Sequence, residues 1–301
     1  MPLCTLCPRK CLIDRSQTSG PCQGGVEPKV ACVVVHKGEE PPLVQKQGSG
    51  TIFFSGCTLR CSYCQNMQLS HDAFGKYVSI QELAKYMIML QGKGCSNINL
   101  VTPTHYSTQI IEALNLARQM GLHLPVVFNS SGYECIDTLK MWQGEAHIYL
   151  MDLKYGDNYT GKLLSGVDDY WDRARQAIAY LWDVIGPLVC DSSGRAQRGI
   201  MVRHLVLPDM LSNPFAALDF LSGLSLKIPI SIMAQYTPVY YQGDLPEMKR
   251  TLREDEYQVI LDKACDLGFE TIFVQDMEAG QTYMPDFSKV KPFGDQENLL
   301  A

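Results

Sequence analysis

The sequence is short of several things, and each shortage removes a class of function. It has no excess of positive charge: 26 Lys and Arg stand against 32 Asp and Glu, a net charge of −6. Without a basic field to hold a phosphate backbone, no nucleic-acid partner is expected. No apolar run approaches the ~18 residues that a membrane helix needs, so no membrane partner is expected either. The strongly apolar stretches, such as residues 31–35 and 148–151, have the length of strands. The amino terminus, Met-Pro-Leu-Cys, carries no apolar h-region, which points to a cytoplasmic chain. No Gly-x-Gly-x-x-Gly opens a helix, and Gly48-Ser49-Gly50 precedes a strand, so a nicotinamide dehydrogenase has no support. Internal repeats and low-complexity tracts are also missing. What is left, 46% hydrophobic and 19% charged residues, is ordinary for a globular protein. At ~100–200 residues per domain, the 301 residues make one large or two modest domains that need no disulfides to fold.

Cysteine is what the sequence has in excess, with twelve residues. Disulfides are rare in the cytoplasm, so metal or redox chemistry is the expected use. Cys4, Cys7, Cys11, Cys22 and Cys32 crowd the first 32 residues, and Cys57, Cys61 and Cys64 form a second group. Cys95, Cys135, Cys190 and Cys265 are isolated and are expected to pack as small hydrophobes.

Residues 1–47 read as a loop-like, Cys-rich segment broken by Gly24-Gly25 and Pro41-Pro42. From residue 48 the pattern changes to alternating strands and helices. Strands are expected at 51–55, 97–101, 126–129, 147–151, 199–207, 228–235 and 271–275. Helices are expected at 79–91, 107–120, 134–143, 168–185, 214–224 and 254–267. Ser79 and Glu82 have capping-box spacing at the start of the first helix. Residues 188–191 and 199–207 flank a turn that suits a small hairpin. The tail after Gly280 reads as extended. Strand and helix alternate six times and a last strand follows, which is an α/β pattern with a parallel sheet, open or curled into a partial barrel. In either form, functional residues belong at the carboxyl ends of the strands. The expected division is 1–47, 48–280 and 281–301.

Cys57-x3-Cys61-x2-Cys64 directly follows the first expected strand. Chance placement of this much cysteine would give about 0.02 such triplets in a chain of this length. Three thiolates in one loop suit a soft metal centre, whereas structural zinc and electron-transfer clusters want four. Three cysteines leave one iron of a [4Fe–4S] cluster open to an outside ligand.

C-x3-C-x-aromatic-C, with Tyr63 before the third cysteine, resembles the signature of radical S-adenosylmethionine (SAM) enzymes. Gln65-Asn66 and Asp152-Leu153-Lys154 resemble the pyruvate formate-lyase activating enzyme branch. Cys-x-x-Cys-Pro-Arg near the start, Glu-Glu-Pro-Pro at 39–42 and Gly-Ser-Gly-Thr-Ile-Phe-Phe before the cluster loop are similar to an uncharacterised iron–sulfur subgroup of it. The resemblance covers nearly the whole chain. It implies a partial (β/α)6 barrel of the radical SAM type and a [4Fe–4S] cluster on Cys57, Cys61 and Cys64 that binds SAM through its amino and carboxylate groups. One electron would split the sulfonium bond, giving methionine and a 5′-deoxyadenosyl radical that abstracts a hydrogen. Flavodoxin or ferredoxin would supply the electron, and a glycyl radical enzyme is the partner that the activating-enzyme branch implies.

The resemblance and the strand-end rule together nominate residues for SAM. Tyr63 and Asn66 flank the third cysteine. Thr102 and Thr104 follow the second strand, where many relatives carry Gly-Gly-Glu, and are expected to offer oxygens. Asn129 and Ser131 follow the third strand, at the position where relatives contact ribose and carboxylate; a helix-capping turn is the competing reading. Asp152 and Lys154, two apart at a strand end, point the same way; a surface ion pair is the alternative. Arg203 on a buried strand needs a carboxylate partner, and SAM has one. Met233 and Gln235 are placed beside the adenine.

Cys4, Cys7, Cys11 and Cys22 supply four thiolates in a loop-rich segment, enough for a second site holding zinc or another [4Fe–4S] cluster. Redox thiols are the alternative. Three functions compete: activation of a protein by abstracting a glycine hydrogen, radical chemistry on a small molecule or another modification target, and a non-catalytic iron–sulfur or metal carrier. A carrier would leave the strand-end residues idle.

Overall fold

The alternating pattern becomes a single mixed sheet in the computed structural model, which describes residues 3–278, 280 and 284–300. The elements run β1 (Lys29–His36), α1 (Pro41–Val44), β2 (Ser49–Phe54), α2 (Met67–Ser70), β3 (Lys76–Tyr77), α3 (Ile80–Gly92), β4 (Ile98–Val101), α4 (Ser107–Gln119), β5 (Val126–Ser130) and α5 (Ile136–Met141). They continue as β6 (Ile148–Asp152), α6 (Asn158–Ser165), α7 (Tyr170–Ile185), β7 (Val189–Cys190), β8 (Ala196–Leu205), α8 (Pro214–Leu224), β9 (Ile230–Met233), α9 (Glu254–Leu267) and β10 (Ile272–Val274). The sheet order is β10-β9-β8-β6-β5-β4-β2-β1-β3, and β7 pairs with β8. From β2 to β10 every neighbouring pair is parallel, joined by helical crossovers. This is an α/β fold with a mostly parallel sheet, its strand ends aligned by register: Val101 lies opposite Asn129, and Asp152 opposite Arg203.

Period-two alternation divides the strands into two faces. Ile52, Leu100, Phe128, Tyr149, Val202 and Ile232 pack outward into the main core. Val127, Ile148, Leu150 and Met201 point inward, where fully buried Leu43 of α1 plugs the interior. Burying such a leucine contributes about 1.5–3 kcal/mol. Above this plug the inward positions turn polar. The capping box of α3 forms: the Glu82 amide donates to Ser79 Oγ (3.2 Å) and the Ser79 amide to the Glu82 carboxylate (2.7 Å).

Residues 1–47 are not loop-like throughout, because Lys29–His36 forms β1, antiparallel to β2. An expected boundary at 47 therefore falls between two paired strands. β3 covers only the start of β1. The remaining edge is closed by the tail: Asn298 accepts from the Val33 amide (3.0 Å) and donates to the Ala31 carbonyl (3.2 Å), and the Leu299 amide donates to Val33 (2.7 Å). Phe287 and Phe293 of the tail pack on Phe53. The tail from 284 to 300 has neither helix nor strand, and 281–283 lie outside the described residues. No described helix is long and apolar enough to cross a membrane.

Candidate active site

A cavity of about 580 Å³ opens at the carboxyl ends of the parallel strands. That is within the ~300–1,000 Å³ usual for small-molecule and cofactor sites. The loop after β2 enters it through Gly56, whose φ of +83° favours glycine. A Cβ there would lie 2.1 Å from the Cys22 carbonyl oxygen, so the amino-terminal segment presses on the start of this loop. Cys57, Cys61 and Cys64 all line the cavity.

Hydrogen bonds fix the loop around its sulfurs. The Leu59 amide points at Cys57 Sγ (3.4 Å) and the Asn66 amide at the Cys64 sulfur. Ser165 Oγ donates to Cys61 Sγ (3.0 Å) and is itself bonded to Tyr155 OH (2.6 Å), which accepts from Tyr63 OH (2.8 Å). Burial, followed by the charges of Cys61 and Cys64, pushes the Cys57 thiol up. Burial and Cys61 do the same to Cys64.

The expected strand-end residues converge on the same space. Thr102, Asn129 and Ser131 line it from β4 and β5, Asp152 and Lys154 from β6, and Arg203, Met233 and Gln235 from β8 and β9. Tyr63 and Asn66 line it from the cluster loop. Thr102 sits in the left-handed region at φ +60°, an uncommon place for a β-branched residue before proline. Lys154 Nζ donates to Asp152 Oδ2 (2.5 Å). Burial alone would push Lys154 down, but the Asp152 carboxylate outweighs it and holds the ammonium charged. The pair faces the cavity, so it is not a surface ion pair. Tyr170 OH ties the neighbourhood together, donating to the Ser131 and Asp152 carbonyls and accepting from the Lys154 amide. Gly132 lets β5 approach this closely, since a Cβ would lie 2.0 Å from the Asp152 carbonyl oxygen.

Two expectations are corrected. Thr104 does not line the cavity; the short turn after Pro103 carries it inward, where its hydroxyl donates to Glu134 Oε1 (2.6 Å). Arg203 has its carboxylates within the chain. Its Nε donates to Glu40 Oε1 (2.7 Å) and its Nη2 to both Glu39 and Glu40. Glu39 and Glu40 therefore line the site as well, and sequence reasoning saw them only as part of a motif. Of the isolated cysteines, Cys95 is buried, but Cys190 and Cys265 are exposed and do not pack as expected.

Residues 51–192 match the family model described as the Radical SAM superfamily. Over that stretch the chain is similar to the radical SAM superfamily. It is 28% identical, over 280 residues, to an uncharacterized protein of Methanocaldococcus jannaschii, covering 90% of this chain and 76% of that one. It is also 28% identical, over 174 residues, to the pyruvate formate-lyase-activating enzyme of Clostridium pasteurianum, covering 52% of this chain and 71% of the enzyme. Among solved structures, Streptococcus suis SuiB bound to precursor peptide SuiA aligns with a TM-score of 0.52 at 13% identity, covering 77% of this chain. The chain spans half of that SuiB chain. Native anSMEcpe with bound AdoMet aligns with a TM-score of 0.51 at 13% identity, covering 73% of this chain and 61% of that one. At such identities the two structures share the fold.

Radical SAM enzymes use a [4Fe–4S] cluster and SAM, and the residues here fit both. Three thiols share one loop and face one cavity; Cys57 and Cys64 receive backbone N–H groups and Cys61 the Ser165 hydroxyl, as ligand sulfurs do. Three protein ligands leave one iron for the amino acid end of SAM. The cavity wall offers the short polar chains of Asn129 and Ser131 and the paired charges of Asp152 and Lys154. Among the described residues, no three Cys, His, Asp or Glu side chains are already drawn together as metal ligands. This applies equally to Cys57, Cys61 and Cys64 and to the amino-terminal cysteines.

Proposed function

We propose that this radical SAM enzyme works like an activating enzyme, removing a hydrogen from a glycine of a protein partner. The observation that carries the reading is the Asp152-Leu153-Lys154 segment at the cavity wall, supported by the similarity to the C. pasteurianum activating enzyme. When bound, the cluster and SAM supply an electron and a 5′-deoxyadenosyl group that together yield the hydrogen-abstracting radical. Cys57, Cys61 and Cys64 would hold the cluster. The Lys154 ammonium, kept charged by Asp152, stands ready to accept a carboxylate or ribose oxygen. Asn129 and Ser131 would orient the same end of the cofactor. Met233, with Gln235 hydrogen-bonded to Gln65 (3.2 Å), would flank the adenine on the far side. Apolar Phe53 and Val101 help to exclude water from the reacting atoms.

A small molecule as the hydrogen donor is the second reading. It is favoured by the tail, whose Pro285 and Phe293 wall part of the cavity. One anaerobic experiment covers both. The protein is loaded with iron and sulfide, reduced with flavodoxin, ferredoxin or dithionite, and given SAM. Formation of 5′-deoxyadenosine is expected, and it is lost in Cys61→Ala. A glycyl radical signal on an added glycyl radical protein supports activation. Turnover without that signal, for every such protein tried, favours the small molecule. No cleavage by a fully loaded, reduced protein would overturn both readings.

A further inference from the structure

The proposed reaction gives no role to Cys4, Cys7, Cys11 and Cys22. Residues 3–27 contain neither helix nor strand. Their large apolar side chains are not fully buried: Leu3 and Leu12 are each 55% exposed, and Leu6 and Ile13 are half-buried. The buried side chains of this segment are those of Cys4, Cys7 and Cys22, and Cys11 is half-buried. The pattern is inverted for a peptide held by hydrophobic packing: three of the four cysteines are buried, and no leucine or isoleucine of residues 3–27 is.

The backbone is folded around these sulfurs. The Cys4 amide donates to the Ile13 carbonyl (2.9 Å) and the Leu12 amide to the Cys4 carbonyl (3.1 Å), closing a loop that carries Cys7 and Cys11. Lys10, Leu12 and Gln23 take positive φ, the strained conformation of a tight knuckle. The Arg9 amide points at Cys7 Sγ and the Gly24 amide at Cys22 Sγ, each two residues beyond its cysteine. Leu59 on Cys57 and Asn66 on Cys64 repeat the same i+2 arrangement in the catalytic loop. Arg15 Nη2 also reaches Cys22 Sγ (3.6 Å). Donors aimed at sulfur offset part of the burial that pushes the Cys7 and Cys22 thiols up, and a bound cation would supply the rest for thiolate, the form that binds metal.

The segment lies against the catalytic loop. The Cys22 carbonyl touches Gly56, Arg9 Nε donates to the Thr58 carbonyl (2.6 Å), and Gln23 Nε2 donates to the His71 carbonyl (2.8 Å). We propose that Cys4, Cys7, Cys11 and Cys22 hold a second, four-thiolate metal centre that clamps residues 3–27 onto the loop carrying Cys57. Four protein ligands fill the shell, so this centre is closed to SAM. Zinc and a [4Fe–4S] cluster share this ligand chemistry, and the experiment separates them.

The test is metal and sulfide content of the full chain, and it does not depend on turnover. Wild-type protein is purified anaerobically, loaded with iron and sulfide and desalted. Beyond the first cluster, about one zinc, or about four irons with matching sulfide, is expected per chain. Iron for one cluster and no zinc in the wild type overturns the proposal. The variant Cys57→Ala/Cys61→Ala/Cys64→Ala should keep the second metal, and adding Cys7→Ser and Cys22→Ser should remove it. The five-residue variant keeping its metal would also overturn the proposal. Cys190→Ser, on an exposed site, should leave the metal content unchanged. Loss of the second metal should open the segment to limited proteolysis within residues 3–27 before any other site; unchanged protection would refute the clamp.

Discussion

Replacing Arg203 with methionine tests the electrostatics of the cavity floor. The guanidinium is 13% exposed and its partners Glu39 and Glu40 are 6% and 7% exposed, so all three charges are nearly out of water. At an effective dielectric near 20, opposite charges ~4 Å apart attract by about 4 kcal/mol. Desolvation offsets much of that gain in the intact cluster, and removing one partner exposes the cost. Arg203→Met strands two carboxylates beside each other in a buried site. Breaking a buried pair in this way costs about 3–5 kcal/mol. At pH 7.5 the apparent melting temperature should fall by roughly 5–10 °C.

The sign of the pH dependence makes the test specific. In the wild type, burial opposes the Glu40 carboxylate, but the Arg203 guanidinium wins and holds its pKa below the ordinary value. Stability from this group is therefore full above the unfolded pKa, about 4.3, and is lost only as pH falls below it. In Arg203→Met, burial, the largest influence, is opposed only by hydrogen bonds from the Ser231 hydroxyl and the Glu40 backbone, and it raises the carboxyl pKa. Stability is then greatest at low pH and is lost as pH rises. Melts at pH 5 and pH 7.5 should show the variant closer to wild type at pH 5. Adding Glu39→Gln and Glu40→Gln to Arg203→Met should recover stability at pH 7.5. An equal loss at both pH values, or a loss under about 1 kcal/mol at pH 7.5, would refute the reasoning.

Three further outcomes follow from single residues. Gly56→Ala places a Cβ against the Cys22 carbonyl at positive φ, whereas Gly94→Ala, at φ +81° with nothing within 4 Å, meets only the backbone penalty of about 1–2 kcal/mol. Iron content and melting temperature should drop much further in the first, and equal effects would show that the contact is not rigid. Thr102→Gly relieves a β-branched residue at φ +60° and should raise stability by about 0.5–1 kcal/mol after the entropy cost of glycine; a destabilised variant would mean that the threonine side chain contributes more than its backbone costs. Glu134 is buried with Oε2 lacking a partner, and burial outweighs the Ser130 and Thr104 hydroxyls to push its pKa up to about 7. Its contribution is full below about pH 4.3 and is lost as pH rises through about 7. Glu134→Gln should therefore gain on wild type between pH 5 and pH 8, on the order of 2–3 kcal/mol, and a pH-independent difference would rule this out.

The parallel strands and their crossovers were legible because each element carries its own signal. Ser79 and Glu82 mark the start of α3 within four residues, and the inward–outward alternation is local to each strand. β1 was hidden for the opposite reason. Its apolar run lies in a Cys-, Gly- and Pro-rich neighbourhood, and what completes it is remote: β2 on one side and Asn298 some 265 residues away on the other. α6 was missed although Asp157 caps its start, accepting from the Thr160 amide (2.7 Å), and Gly166 ends it at φ +65°. A lone cap before an eight-residue helix is a weak signal beside the longer α7.

The site divides along the same line. Cys57, Cys61 and Cys64 stand out because three thiols fall within one short loop, a spacing that is visible without the fold. Asn129, Ser131, Asp152 and Lys154 follow from a topological rule: parallel strands bring their carboxyl ends to one mouth. Arg203 shows where that rule stops. A buried guanidinium requires a carboxylate, and the sequence could not say which one, because Glu39 and Glu40 lie about 163 residues away. With Arg203 neutralised by the chain itself, Lys154 and Arg203 differ in what they can offer an incoming carboxylate. Lys154 spends its charge on one acid at the cavity wall, whereas Arg203 is shared between two. An anionic end of a bound molecule would therefore meet less repulsion on the β6 side of the cavity than beside Arg203, whose charge is outweighed by Glu39 and Glu40.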